Sequence, residues 1–412
     1  MKSSLKLMQL SRLSLTNFRV FSRLELDFPR RVILFHGANA QGKTTILEAA
    51  AFLALFTSIS TSNDRELINF NLPEEDLLKV GRIVGEFERG GKKQILEVRL
   101  ILEANGEPGK FRLRKEALLN GVNRRFSDLY GQFNAVAYLP QMSKIFEGGP
   151  SERRRYFDEV LCQIEPGYSK HLSKYNNLMV KRNALLKTLG EVGGPPDQLD
   201  YWDSMLAEHG AWLIKGRLGL VAELSALARE SHAQLTEGKE VLRLDYQPSY
   251  NPLSSGISQT VLANLPPLDV NALDVKEIET GFLVELINRR TNDIRRGSTG
   301  LGPHKDELRF LANQIDLGSF GSRGQIRTAL LSLKFAEVDL MKQRSGEWPV
   351  LLLDEVMAEL DPLRRNALLS LLDKVEQAFV TTTDQEMFDP LFLANHEVWK
   401  VQQGVVSKET MR

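Results

Sequence analysis

The chain is poor in cysteine: Cys162 is its single example, so no disulfide can form within it, and a reducing compartment suits it. No apolar run approaches the roughly 18 residues that cross a bilayer. The stretch from Lys2 to Leu15 alternates polar and apolar residues and lacks the apolar core of a signal peptide. The expectation is a cytoplasmic protein without membrane contact. A surplus of positive charge is also missing, with Lys+Arg 53 against Asp+Glu 53 and a formal net charge of +0. DNA-binding domains usually carry a basic excess, so nucleic-acid contact here must come from local patches. Neither cysteine nor histidine recurs at zinc-ligand spacing.

What is present is an ordinary globular composition, 42% hydrophobic and 26% charged over 412 residues. That length accommodates two or three domains of about 150 residues each. Leu10 to Val20 and Arg23 to Phe28 read as strands, Val32 to Phe35 as a buried strand, and Thr44 to Phe56 as a helix. Val84 to Glu88 and Ile95 to Leu102 read as antiparallel strands around a Gly90-Gly91 turn, and Phe111 to Lys115 and Leu119 to Val122 continue that sheet. After Gly148-Gly149-Pro150 the pattern turns helical, with Ser151 as the expected N-cap and a run to Leu189. Gly190 to Asp197 breaks it, and Leu199 to Leu235 resumes, predicting a helical hairpin with arms of about 45–60 Å. The expected division is 1–150, a helical arm over 151–296, and 297–412. The fold class is α/β, a mixed sheet with an inserted helical hairpin.

Three stretches carry chemistry. Gly37-Ala38-Asn39-Ala40-Gln41-Gly42-Lys43-Thr44 lies between the apolar strand and the helix, the order a phosphate-cradling loop requires. Its glycines let backbone N–H groups approach phosphates, Lys43 neutralises β/γ charge, and the Thr44 hydroxyl suits Mg2+. Second, Val350-Leu351-Leu352-Leu353-Asp354-Glu355 is an apolar strand ending in two carboxylates, where α/β sheets bind ligands. Asp354 would support Mg2+ and Glu355 would polarise the attacking water. Third, Gly321-Ser322-Arg323-Gly324-Gln325 opens a helix, and such an N-terminus attracts anions.

Ser322-Arg323-Gly324-Gln325 resembles the signature of ABC-type ATPases and lies upstream of the Asp-Glu strand, as that family requires. Met357 to Asp361 resembles the D-loop, and Gln141 stands where a Q-loop glutamine would act. Thr381-Thr382-Thr383-Asp384 takes the place of the switch histidine, leaving Thr382 or Thr383 to act instead. Lys43 and Asp354 are 311 residues apart (354 − 43), too many for a transporter ATPase and too few for a long SMC coiled coil. Four further stretches resemble the RecF family of bacterial recombination mediators: Leu15 to Phe21, Gly149 to Asp158, Gly302-Pro303-His304-Lys305-Asp306, and the signature followed by Leu330 to Lys334. They lie in family order over nearly the whole chain. Ala40 and Thr45 depart from it, as does the stretch after Pro140.

The resemblance implies an ABC-type ATPase head that binds ATP and Mg2+, with Arg19 and Thr45 near the nucleotide. It implies a homodimer in which Ser322 to Gln325 of one chain face the ATP of the other, and weak, DNA-stimulated ATPase activity. Its implied partners are single-stranded, double-stranded and gapped DNA, with RecR, RecO and RecA. Lys110, Arg112 and Arg114 alternate along a strand and share one face, a candidate DNA surface or a solvated edge. Arg153 and Arg154 fan around a helix start as further candidates, and Arg289 to Arg296 form another basic cluster. A chromosome-organising SMC-type ATPase and an ABC-type ATPase driving a non-DNA partner remain as alternatives.

Overall fold

A computed structural model describes residues 8–29, 31–61, 63–73, 76–104, 111–253 and 273–409. The chain divides into two compact units, one of Met1–Ser143 with Leu330–Arg412, the other of Lys144–Ala329. The first unit is therefore built from both ends of the sequence. Residues 297–329, expected with the carboxy-terminal ATPase segment, belong instead to the unit that contains the helical arm.

The first unit opens with β1 (Met8–Phe18) and β2 (Phe21–Asp27), paired antiparallel. β3 (Val32–His36) is apolar almost throughout, as a strand covered on both faces must be. It leads into α1 (Lys43–Leu55), buried at every residue from Ile46 onward. β4 (Leu78–Arg89) and β5 (Lys92–Ala104) turn at Gly90 and Gly91, with φ of 55° and 77°. Two successive left-handed residues match the right-handed twist of a hairpin. β6 (Phe111–Leu119) meets β7 (Val122–Arg124) through Asn120 and Gly121 in the same geometry, so this Asn-Gly pair is a turn rather than strand interior. α2 (Phe126–Leu129) and β8 (Ala135–Tyr138) follow.

The second unit contains α3 (Lys144–Glu147), α4 (Pro150–Ile164), α5 (Tyr168–Val192), α6 (Asp200–Leu235), β9 (Leu242–Gln247), α7 (Val275–Arg296), β10 (Glu307–Ala312), β11 (Ile315–Asp316) and α8 (Leu317–Phe320). Ser151 is not the N-cap of α4: Gly149 holds that place and Pro150, with its φ preset, starts the helix. The expected helix to Leu189 is two helices, because Pro166 cannot donate to the ladder and Gly167, at φ 85°, caps α5. The arms are 25 residues in α5 and 36 in α6. Arg182 of α5 is fully buried among α5, α6 and α7, with Nε 2.6 Å from Asp203 and Nη1 2.8 Å from Asp293 and 2.9 Å from Thr299.

α9 (Arg323–Ser345) carries the chain back to the first unit, followed by β12 (Val350–Leu353), α10 (Pro362–Leu372), β13 (Ala378–Thr382), α11 (Pro390–Asn395), β14 (Glu397–Gln402) and β15 (Val405–Glu409). One six-stranded sheet runs β2-β1-β4-β5-β6-β7; the other runs β15-β14-β3-β13-β12-β8. In the second sheet β14, β3, β13, β12 and β8 are parallel, so their carboxy-terminal ends share one edge. Among the described residues no helix is long and apolar enough to cross a membrane.

Candidate nucleotide site and signature

The loop after β3 needs glycine at two positions. Gly37 has φ 152°, and a Cβ there would lie 2.2 Å from the Val401 carbonyl oxygen. Gly42 has φ 108°, and a Cβ would strike the Phe21 ring at 2.8 Å. Ala40 also takes a left-handed conformation, φ 62°, where a Cβ is unfavourable. Ala38 and Asn39 are exposed, and Gln41 accepts from the Gln403 N–H at 2.6 Å.

Lys43 is buried, its ammonium 2.5 Å from Gly37 O, 3.1 Å from Ala38 O and 2.9 Å from Glu355 Oε1. Thr44 Oγ1 lies 2.9 and 3.0 Å from the two Asp354 oxygens. Thr45 is half-buried one position on. The strand between the two motifs supplies the link. Thr381, on β13, donates to Asp354 Oδ1 at 2.7 Å and accepts from the Glu355 N–H at 3.0 Å. Burial raises the Asp354 carboxyl above its usual range, against the hydrogen bonds from Thr381 and Thr44. Glu355 has φ 52°, a strained setting for a non-glycine residue. Its Oε2 accepts from the Thr383 N–H at 3.0 Å. Of the two threonines open for the switch position, Thr383 touches Glu355, whereas Thr382 is buried and donates to Asp384 O at 2.8 Å.

Gln141 is exposed on the turn after β8, whose last residue Tyr138 pairs with Leu353 beside Asp354. Arg19, half-buried, makes a two-pronged ion pair with Glu48 of α1, both contacts at 3.0 Å. Glu48 escaped the sequence reading, although a lone carboxylate on so apolar a helix signals a buried partner. Asp361 caps α10, accepting from the Arg364 N–H at 3.0 Å and pairing with the Arg364 side chain.

In the second unit Ser322, Arg323 and Gly324 are exposed at the start of α9. Ser322 and Gln325 form a reciprocal capping box: Ser322 N–H donates to Gln325 Oε1 at 3.1 Å, and Gln325 N–H to Ser322 Oγ at 3.2 Å.

The family model for the RecF/RecN/SMC N-terminal domain matches residues 9–407. The chain is 34% identical over 403 residues to the DNA replication and repair protein RecF of Halalkalibacterium halodurans, covering 98% of this chain and 100% of the relative. The chain belongs to the RecF family. A solved structure of the recombination mediator protein RecF with ATP, described within the RecFOR pathway, matches with TM-score 0.82 at 28% identity over 100% of both chains. An Smc head domain from Pyrococcus furiosus, bound to the C-terminal domain of ScpA, shares only the fold, at TM-score 0.50 and 16% identity over 98% of this chain and 96% of that one. The fold is thus the ATPase head common to RecF and SMC proteins.

The basic residues singled out for DNA are placed unevenly in this RecF-family chain. Lys110 lies outside the described residues. Arg112 is exposed on β6. Arg114 pairs with Glu103 at 3.0 Å and with Glu116. It belongs to a cross-strand ladder in which Glu97 accepts from Arg82 at 2.8 Å and Arg99 at 2.6 Å; the Arg82 bond, helped by Arg99, holds Glu97 down to about 2. Arg153 pairs with Glu307 at 2.9 Å and donates to Gly148 O at 2.6 Å, and Arg154 donates to Asp306 O at 2.8 Å. These two fasten α4 to β10. Arg290 is likewise held, by Asp203 and Asp200, while Arg289, Arg295 and Arg296 are exposed.

The RecF-like stretch Gly302 to Asp306 centres on the buried Asp306. Asp306 accepts from Arg217 at 3.0 Å, Tyr246 at 2.5 Å and Ser249 N–H at 2.9 Å, and burial raises its carboxyl. His304 Nε2 lies 3.0 Å from Thr299 O, which can only accept, so Nδ1 receives the Tyr175 hydroxyl at 2.8 Å. Burial pushes this imidazole down to about 4. Arg217 and Tyr246 were not singled out in sequence, because their partner Asp306 lies 89 and 60 positions away.

Proposed function

We propose that this chain is an ATP-gated recombination mediator that grips DNA as a homodimer. The observation that carries the reading is the single network joining Lys43, Thr44, Asp354 and Glu355 through Thr381, in a RecF-family chain. The Thr44 hydroxyl and the Asp354 carboxylate are adjacent oxygen donors, the hard ligands that Mg2+ takes, and the cation would neutralise charge on the β- and γ-phosphates. Lys43 divides its ammonium between loop carbonyls and Glu355, so ATP phosphates compete for it with Glu355. Drawn off Lys43, the Glu355 carboxylate is free to accept a proton from the attacking water, while Thr383 keeps it oriented. Gln141 supports that water from the neighbouring strand end, and Asp361 stands at the D-loop position. Ser322 to Gln325 of a second chain close the site, and hydrolysis releases the clamp.

Such a dimer acts in the cytoplasm at gapped DNA, at junctions of single and double strand, and with RecR and RecO it helps place RecA. The expected turnover is slow and rises with DNA. Static light scattering with ATP tests the clamp. Lys43→Ala remains monomeric, while Glu355→Gln loses about 10²-fold or more in hydrolysis and accumulates as the dimer. A Glu355→Gln chain that stays monomeric in ATP refutes the two-site clamp. ATPase activity unmoved by gapped DNA refutes the mediator reading.

A further inference from the structure

Gln325 has two chemically different ends, and the capping box works only one way round. Its Oε1 must face the Ser322 N–H, since the amide NH2 end would oppose one donor with another. The choice between the two orientations is made on the other side of the amide. Gln325 Nε2 donates to Glu240 Oε1 at 2.9 Å, and an ionised carboxylate only accepts. Glu240 therefore selects the orientation that presents Oε1 to Ser322.

Glu240 is itself well held. Its Oε2 lies 3.3 Å from Nε2 of His232, a fully buried residue of α6. Its N–H reaches Thr236 Oγ1 at 3.4 Å. On either side Asn313 fastens the backbone, accepting from the Val241 N–H at 2.9 Å and donating to Lys239 O at 3.3 Å. The exposed signature is thus bonded to a half-buried carboxylate 85 residues earlier in the sequence.

We infer that Glu240 is a positioning residue for the signature: by fixing the Gln325 amide it sets the Ser322 N–H and hydroxyl in the geometry that meets the second chain's nucleotide. The inference rests on the reading that the signature acts across a dimer. A carboxylate acceptor makes the contact charge-assisted, and loss of such a bond, with a wrong-way amide behind it, predicts about a tenfold or larger effect.

A charge exchange in the full-length chain tests it. Glu240→Lys places a donor against Gln325 and turns the amide round. Gln325→Glu sets two carboxylates against each other. Together the substitutions restore an acceptor for the Ser322 N–H and a donor–acceptor pair behind it. The expected result is ATP-dependent dimerisation weakened about tenfold or more in each single variant and restored to within about threefold in the double. Glu240→Gln, which keeps an acceptor, stays near the unaltered chain. Binding of a fluorescent ATP analogue to the isolated chain is unchanged in Glu240→Lys and Glu240→Gln. Amide hydrogen exchange at Ser322 is read in parallel and speeds up in Glu240→Lys. If Ser322 stays protected in that variant, or the double is no better than the singles, the positioning role is overturned. If Ser322→Ala dimerises normally although exchange at Ser322 has accelerated in Glu240→Lys, the local steering by Glu240 stands and the cross-dimer reading falls.

Discussion

Ala40 shows how far a residue-level reading reaches. It stood out as a departure in the phosphate loop, and its φ of 62° supplies the cost of that departure. Alanine there bears steric strain of about 1 kcal/mol that glycine would not. Ala40→Gly is therefore expected to raise the urea midpoint of the unit, against the usual effect of added glycine, and Ala40→Val to lower it. Unchanged midpoints in both would show that the loop relaxes freely. The roles of Thr381 and Thr383 were harder to read. Three successive threonines look alike in sequence, and only the strand register, with Thr381 and Thr382 inside β13 and Thr383 just past it, separates a carboxylate bridge from a buried hydroxyl and a contact to Glu355. Arg19 was read as a nucleotide contact or a solvated turn arginine, and its pairing with Glu48 was not legible, since Glu48 lies 29 positions away.

Among secondary-structure elements, alternation and turn residues placed most strands well, because the apolar period and the glycine turns are local. Cross-strand chemistry is not local. Arg114 does share a face with Arg112, but Glu103, in register with Arg112 on the neighbouring strand, and Glu116 two residues on convert that face into a paired ladder. The helical unit carries two tests. Arg182 joins α5, α6 and α7, and Arg182→Ala takes the arginine from Asp293 in the core and leaves Asp203 to Arg290 alone, with an expected loss of about 3–5 kcal/mol in urea unfolding. His304 is buried neutral with its value near 4, while an unfolded imidazole titrates near 6.5. The unfolded chain thus binds the extra proton first as pH falls. The stability this histidine contributes is present above pH 6.5 and is lost towards pH 4, by up to about 3 kcal/mol. The slope of stability against pH in that window should flatten in His304→Gln; an unchanged slope would assign the acid sensitivity elsewhere.

For the whole molecule, balanced charge bears on the proposed grip on DNA. With basic and acidic residues equal in number and several arginines committed to internal pairs, the proposed grip would draw on exposed local groups such as Arg112, Arg289, Arg295 and Arg296. Affinity for gapped DNA at fixed ATP should drop about 10³-fold or more between 50 and 200 mM salt if about six phosphates are contacted. A flat salt response would rule out a phosphate-directed grip. The division into units was only partly legible, since nothing in the composition near residue 297 reveals that β10, β11 and α8 group with the helical arm.

That the first unit closes from both ends of the chain bears on its birth. The phosphate loop leans on Val401 and Gln403, and β3 pairs with β13 and β14, all of them made about 350 residues after Lys43. At 5–20 residues per second, the ribosome needs roughly 20–70 s to supply them. A nascent chain therefore carries its phosphate loop through most of translation without the strands that shape it, and competence for ATP arrives only with the last few dozen residues.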